Sequence, residues 1–174
     1  MKLNFSVNPK DFYENHSGKV KTYSDADLGA DETKRSTSGG LGMLEGTHTK
    51  ALFLAYSKRQ GSVGLSTPES EIVALTVLAK KVLTLHMIII RMLKIAVGLE
   101  LLEDNEACER IVGTGVSAQL SYMKRTVGLS FKWLQQHCKR YIARVESDEN
   151  PSDLFTKPLD REKFEKYREF LGIR

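Results

Sequence analysis

Four acidic residues stand in contexts that would bring them to one end of a β-sheet. Asp25 lies in a strand-like run, and Asp104 closes a second one. Glu71 lies in the first turn of a predicted helix, and Asp153 begins the last predicted helix. Hard divalent cations take oxygen ligands, and a pair of them can activate a water and stabilise the leaving oxygen of a phosphodiester. The pattern therefore predicts a site for two Mg²⁺ ions, with Mn²⁺ as a second candidate.

Each acid has a simpler explanation when it is taken alone. An aspartate is most often a solvated surface group, and Asp153 follows Pro151 as a helix-start acid would. Glu71 would be favourable near any helix N-terminus. Four converging carboxylates repel one another, so we expect at least one raised pKa when no metal is bound. Four nearby acids are interpreted as solvated or capping groups: Asp27, Asp31, Glu69 and Glu106.

Five ordered motifs carry a resemblance to a known family. They are residues 23–29 (YSDADLG), 34–39 (KRSTSG), 65–75 (LSTPESEIVAL), 103–107 (EDNEA) and 150–159 (NPSDLFTKPL). The chain resembles the ribonuclease H domain of Ty1/copia-type retrotransposon polyproteins, in which the same positions read YSDADWAG, RKSTSG, LSSTEAEYIAL, CDNQAA and NIADILTKPL. The resemblance runs from about Leu3 to Ile173.

The resemblance implies a ribonuclease H-like fold and a role for the four acids. Asp25, Glu71, Asp104 and Asp153 match the family's catalytic acids. The implied reaction is two-metal hydrolysis of the RNA strand of an RNA–DNA hybrid, with 5′-phosphate and 3′-hydroxyl products. The enzyme would distinguish the two strands by the 2′-hydroxyl group and the groove shape.

Basic residues could bind the phosphates of a hybrid or of a structured RNA. The net charge of +4 permits nucleic-acid binding. Seven basic residues are candidates for this contact: Lys58, Arg59, Lys124, Arg125, Lys139, Arg140 and Arg144. For any single one of them, a solvated mixed-charge surface is the simpler interpretation.

The hydrophobic pattern predicts elements in the order β-β-β-α-β-α-α-β-α. This order is typical of a five-stranded mixed sheet flanked by helices, in one domain over 1–174 with 1–19 as an extension or loop. The predicted strands are 20–25, 41–44, 51–57, 99–104 and 141–145, and 31–40 is a predicted turn. The predicted helices run from Ser66 to an end marked by Gly98, over 105–112, over 120–137, and from Pro151 with an interruption at Pro158.

The long helix is more apolar than one buried face requires. Its buried stripe is predicted to include Val82, Ile89 and Met92. Met87, Ile88 and Ile90 therefore need another cover, which could be the helix 120–137, a copy of the chain or a foreign protein.

The sequence predicts neither a membrane span nor a signal peptide. Thr84, His86, Arg91 and Lys94 interrupt the apolar run 82–96. The first residues lack an apolar signal core. We therefore expect an intracellular protein with no membrane contact.

Two other functions stay open. The chain could be a catalytically idle, domesticated module that serves as a structural or RNA-binding subunit of a ribonucleoprotein, such as a mitochondrial ribosome. It could also be an integrase or transposase core, although a fourth acid near the C-terminus favours the ribonuclease H pattern. Leu28 stands where the family has tryptophan, and Thr126 and Gly128 stand where it has histidine and aspartate. A first methionine without any polymerase motif is typical of a separated retroelement fragment.

Overall fold

A single five-stranded mixed sheet flanked by helices organises the chain, which confirms the predicted fold class. The computed structural model describes residues 5–29 and 34–173. The strands are β1 (Lys19–Asp27), β2 (Thr37–Glu45), β3 (Lys50–Arg59), β4 (Gly98–Glu103) and β5 (Ile142–Arg144). Their spatial order is β3-β2-β1-β4-β5. The first three strands are antiparallel neighbours, whereas β4 and β5 run parallel to β1.

Within the described residues, six α-helices and two 3-10 helices connect and cover these strands. The α-helices are α1 (Lys10–Tyr13), α2 (Thr67–Leu93), α3 (Glu106–Thr114), α4 (Met123–Thr126), α5 (Phe131–Cys138) and α6 (Arg161–Phe170). The 3-10 helices are Ser147–Glu149 and Pro151–Phe155. We refer to Pro151–Phe155 as the acid-bearing 3-10 helix, because it carries Asp153.

The sheet has a hydrophobic core on each side. The larger core holds Leu75 and Leu78 of α2 against Leu101 of β4, and all three are fully buried. The smaller core holds Tyr23 of β1 against the C-terminal segment, including Leu171. Burial of large apolar side chains contributes about 1.5–3 kcal/mol each. The two cores therefore fix the sheet between α2 and the C-terminal segment.

The predicted turn 31–40 is wrong over its last four residues, which begin β2. Their Ser/Gly-rich composition has a packing role instead. A Cβ at Gly39 would lie 2.7 Å from Thr156 Cγ2, and one at Gly40 would lie 2.3 Å from Tyr56 Cε1. The two glycines therefore allow Thr156 and Tyr56 to pack directly against the backbone of β2. Asp31 lies outside the described residues.

Three helix predictions differ from the structure. The predicted helix 120–137 is two helices, because Gly128 has φ +66° and Ser130 caps α5 by accepting a bond from the Trp133 N–H. The helix α2 ends at Leu93, followed by Lys94 with φ 57°, whereas Gly98 opens β4. The helix predicted from Pro151 is a short 3-10 helix separate from α6.

The segment 1–19, predicted as an extension or loop, contains α1 within its described part. Phe12 is buried in the larger core. Asp11 is also buried, and its Oδ2 accepts a 2.8 Å hydrogen bond from the His48 N–H. Ser6 pairs with Lys50 of β3 in an isolated bridge. The described part of this segment, residues 5–19, therefore packs against the domain.

The C-terminal half of α2 is only partly covered. Met92 is 76% exposed, so its predicted place in the buried stripe is wrong. Met87 and Ile88 are 54% and 46% exposed, while Ile90 is half-buried against the larger core. By length and composition alone, α2 could cross a membrane, with a mean hydropathy of 1.9 in its most apolar window. Core helices share this property, and α2 packs on the sheet.

Candidate metal centre

Two of the four predicted acids lie at the carboxyl ends of neighbouring parallel strands. Tyr23 of β1 and Leu102 of β4 form the last registered pair between these strands. Asp25 and Asp104 each follow two residues later in the chain. Parallel strands end at the same edge of a sheet, so both carboxylates reach that edge. Asp25 is also paired with Gly39 of β2. Because Gly39 has no side chain, Thr156 can pack against this part of the strand.

A buried polar network positions Glu71 at the start of α2. The hydroxyl groups of Ser36 and Ser70 lie 2.7 Å apart. The Gln60 amide donates 2.9 Å hydrogen bonds to Ser38 Oγ and to the Ser70 carbonyl oxygen. These contacts fix the first turn of α2 to the β2–β3 pair. The sequence motif 34–39 therefore works through its serines, which orient the helix that carries Glu71.

Asp25, Glu71 and Asp104 form a three-carboxylate cluster. One carboxylate oxygen from each lies within 4.8 Å of the others. Asp25 and Glu71 are 2% and 4% exposed, and Asp104 is half-buried. The buried Glu71 Oε2 has no hydrogen-bond partner within residues 5–29 and 34–173. A buried, unpartnered carboxylate oxygen beside two further carboxylates fits a hard divalent cation.

The acid-bearing 3-10 helix reaches the same edge of the sheet through Asn150. The Asn150 side chain accepts a 3.2 Å hydrogen bond from the Ser152 N–H and donates one of 2.8 Å to the Ser24 carbonyl oxygen. The Thr156 hydroxyl donates to Asp25 Oδ2. These bonds place Asp153 beside Asp25, because Ser24 and Asp25 are adjacent on β1.

Asp153 differs from the other three acids because two lysines bind its carboxylate. Lys157 Nζ lies 2.8 Å from Asp153 Oδ1 and 4.0 Å from Asp25 Oδ1. Lys163 Nζ lies 2.9 Å from Asp153 Oδ2. Asp153 is 1% exposed, so both of its oxygens are buried and paired with an ammonium group.

A fifth carboxylate, Glu103, was missed by the sequence analysis. It is 1% exposed, and the Ser24 hydroxyl donates a 2.5 Å hydrogen bond to its Oε2. Burial is the main cause that raises its pKa well above the ordinary value. The strand alternation could have revealed it, because Leu99 and Leu101 lie at the same period-2 positions and belong to the larger core.

The pKa values of two cluster members are raised, mainly by burial, and the predicted repulsion among the carboxylates adds to both shifts. Burial raises the pKa of Asp25 to about 6, although the hydrogen bond from Thr156 opposes the shift. Burial raises the pKa of Glu71 to about 11, and the charges of Glu103, Asp25 and Asp104 add to the shift. Without a bound cation, Glu71 is therefore protonated at neutral pH.

Of the nearby acids, Glu69 is not solvated. It is 5% exposed, and its Oε2 accepts hydrogen bonds of 2.8 Å from the Leu65 N–H and 2.6 Å from the Tyr122 hydroxyl. This carboxylate caps the start of α2 and fixes the segment before α4. Glu106 is exposed, and Asp27 is half-buried.

The predicted phosphate-binding residues lie in two places. Five lie at the acidic end of the sheet or beside the start of α2: Lys58, Arg59, Lys124, Arg125 and Arg144. Arg144 is paired with Glu103 in the sheet register. Lys139 and Arg140 precede β5 and lie at the other end of that strand.

Known proteins similar to this chain include a retrotransposon polyprotein and two ribonuclease H domains. No family model matches. A Pol polyprotein from the transposon TNT 1-94 of Nicotiana tabacum is 29% identical over 160 residues, which are 88% of this chain and 11% of the polyprotein. The N-terminal ribonuclease H domain of a Mycobacterium tuberculosis protein has a TM-score of 0.54 at 14% identity, over 88% of this chain and 98% of that one. Ribonuclease H1 of Halobacterium salinarum has a TM-score of 0.51 at 13% identity, over 86% and 99%. The chain thus has a ribonuclease H-like fold, and its sequence is similar to part of a retrotransposon Pol polyprotein, of which it spans 11%.

Proposed function

We propose that the chain is a divalent-metal-dependent endoribonuclease that cleaves the RNA strand of RNA–DNA hybrids. Two ions, Mg²⁺ or Mn²⁺, would be held by Asp25, Glu71, Asp104 and Asp153. The products would carry 5′-phosphate and 3′-hydroxyl ends. The observation that carries the proposal is the three-carboxylate cluster, in which a buried oxygen of Glu71 lacks any partner within the described part of the chain.

The composition of the cluster supports a cation rather than a structural role. Asp25, Glu71 and Asp104 bring like charges within 4.8 Å, and a buried neighbour, Glu103, adds a fourth carboxyl group. Such an arrangement destabilises the folded chain unless protons or cations neutralise it. Perturbed carboxyl groups gathered in this way are typical of functional sites.

The residues would divide the reaction between them. A bound pair of divalent ions supplies an activated water and neutralises the charge on the leaving 3′ oxygen. Asp25 and Asp104 would hold the ions from the strand ends, and Glu71 would hold them from α2. Thr156, which donates to Asp25, orients that carboxylate toward the cluster. The surrounding polar network would keep these groups in place.

The basic residues at the acidic end of the sheet would bind the hybrid. Lys58 and Arg59 close β3, two strands away from Asp25, while Lys124 and Arg125 lie in α4. Phosphate contacts position a nucleic acid without reading its sequence. Lys139 and Arg140 lie at the other end of β5, so we expect them to contribute less than Lys58 and Arg59.

The test is cleavage of a hybrid whose RNA strand carries a 5′ label. The purified chain with Mg²⁺ should cut the RNA and spare double-stranded DNA. Asp25→Asn should abolish cleavage, because it removes a metal ligand with little change in volume. Glu106→Gln, at an exposed acid near the site, should retain it. Folded protein that shows no Mg²⁺-dependent cleavage would contradict the proposal.

The alternative is a catalytically idle subunit of a ribonucleoprotein. Its specific support is the pairing of Asp153 with Lys157 and Lys163, which neutralises one acid without any metal. In that case the chain would bind structured RNA or a hybrid with equal affinity for the wild type and Asp25→Asn. Measured affinities and cleavage rates for the two proteins decide between the functions.

A protein partner on the exposed part of α2 stays a prediction. The segment 120–137, which could have covered Met87 and Ile88, leaves both more than two fifths exposed. Ile90 is half-buried against the chain's own core, so it would contribute less to such a contact. Sedimentation at high protein concentration tests whether a second copy of the chain covers this surface. A monodisperse monomer would exclude that possibility.

A further inference from the structure

The fourth acid of the site is already neutralised by two ammonium groups. Both oxygens of Asp153 have an ammonium group within 2.9 Å, from Lys157 and Lys163. The buried Oε2 of Glu71 has no hydrogen-bond partner in the described chain. The same site therefore contains a three-carboxylate cluster with one unpartnered buried oxygen in the described chain, and one carboxylate that two ammonium groups bind.

Lys157 lies between the two sets. Its Nζ is 2.8 Å from Asp153 Oδ1 and 4.0 Å from Asp25 Oδ1, so it bridges the first and the fourth acid. An ion shared by these two carboxylates would need the same oxygens. A divalent ion and an ammonium group that share them repel each other strongly at such distances in a buried site. The ion and Lys157 therefore exclude one another.

The backbone holds Lys157 at this position. Its N–H donates a 3.2 Å bond to the Asp153 carbonyl oxygen, and the neighbouring Thr156 donates to Asp25. Lys163 approaches from the first turn of α6, where its N–H is bound to the Asp160 side chain at 2.8 Å. The Lys157 side chain is 41% exposed, so its ammonium group can swing into solvent or toward a phosphate.

We propose that Lys157, assisted by Lys163, is a built-in counter-ion that holds the place of the second divalent ion. The chain then binds one ion at Asp25, Glu71 and Asp104, and binds a second only when Lys157 leaves Asp153. Lys157 is a positioning residue that sets the order of ion binding. This inference rests on the proposed function, because it assigns an order to the same two ions.

The test counts bound Mn²⁺ by electron paramagnetic resonance and measures each affinity by calorimetry, without substrate. The wild type should bind one ion, with the second weaker by on the order of tenfold or more. Lys157→Met should tighten the second site by about the same factor, whereas Lys157→Arg, which keeps the charge, should not. Lys166→Met is the matched control on α6, because Lys166 pairs with Glu149 and does not contact the four acids.

The outcomes separate this inference from the proposed function. Two ions of equal affinity in the wild type would overturn the counter-ion role. One bound ion in both the wild type and Lys157→Met would also overturn it, while leaving the metal centre intact. No bound ion in any of these folded proteins would refute both. Lys157→Gln repeats the measurement if Lys157→Met shows an altered circular dichroism spectrum.

Discussion

The two halves of α2 differ in burial although both are rich in apolar residues. The half that begins the helix is buried at most positions up to Val82. Beyond Val82, within this fully described helix, His86 is the only buried residue. The first half lies on the sheet and carries Glu71. The second half leaves Met92 exposed, since the sheet and the connecting segments cover it only in part.

The difference shows that burial here does not follow side-chain polarity. Glu71 is a charged type at 4% exposure, whereas Met92 is an apolar type at 76% exposure on the same helix. A buried carboxylate is costly unless a partner compensates it, and an exposed methionine forgoes its own burial. Each exception points to something absent from the isolated chain. For Glu71 we propose a cation, and for Met92 and its neighbours a covering surface.

The largest expected effect comes from removing the buried acid while keeping its volume. Glu71→Gln should lower hybrid cleavage by at least about a hundredfold, or ~2.7 kcal/mol of transition-state stabilisation. It should also weaken Mn²⁺ binding. His86→Gln is the matched change of a buried polar residue in the other half, where His86 Nε2 lies 2.7 Å from the Val97 carbonyl oxygen. It should retain cleavage, and equal losses in the two variants would contradict the comparison.

Truncation of an apolar side chain should reduce the free energy of unfolding more in the first half of α2 than in the second half. Leu75→Ala should reduce the free energy of unfolding by about 2–5 kcal/mol, because Leu75 is fully buried in the larger core. Ile88→Ala should cost less than about 1 kcal/mol, because Ile88 is 46% exposed. Urea denaturation of the two variants measures both. Equal costs would mean that the second half is covered in solution.

The pH dependence of stability should show the cost of burying the Glu71 carboxyl group in the first half of α2. The folded pKa of Glu71 is raised above the ordinary value of 4.5, mainly by burial. The resulting destabilisation is absent below about pH 4.5 and grows as the pH rises above it. Metal-free Glu71→Gln should therefore match the wild type at pH 4 and exceed it at pH 8, by about 1–2 kcal/mol or ~2–8 °C in Tm. Mg²⁺ should stabilise the wild type more than the variant at pH 8.

The smallest effect is expected at the exposed end of α2. Met92→Lys should change the free energy of unfolding by less than about 0.5 kcal/mol, because Met92 is 76% exposed. If copies of the chain cover this end, the same change should weaken self-association. Thermal denaturation and sedimentation test the two statements separately. A large loss of stability in a monomer would show that Met92 packs internally.

Much of the fold could be predicted from local sequence patterns. The predictions that failed concern features that these patterns do not encode. The start of α2 was predictable because Ser66 caps it and Pro68 suits a first turn. The predicted turn over Gly39 failed because glycine there serves close packing against Thr156. The single helix 120–137 failed because Gly128 needs a positive φ. These outcomes depend on tertiary neighbours or on a left-handed backbone conformation, neither of which hydrophobic spacing reports.

The candidate site was predictable to a lesser degree. The strand ends and the resemblance identify Asp25 and Asp104 as neighbours. Neither indicates that Lys157 and Lys163 bind Asp153, because these contacts depend on the path of the chain between Asp153 and α6. Glu103 had a usable signal in its strand alternation. When Glu103 is considered without the neighbouring acids, however, its charge favours an exposed position.

The bond between Asn150 and Ser24 has a consequence for how the chain acquires its site. It joins residues 126 positions apart, and the acid-bearing 3-10 helix depends on it to reach Asp25. Closing so long a loop is entropically costly and slow compared with forming the local β1–β2 and β2–β3 pairs. We expect the sheet to form before the fourth acid arrives. Cleavage activity should therefore appear after the bulk of the secondary structure during refolding, which makes it a late marker of the native state.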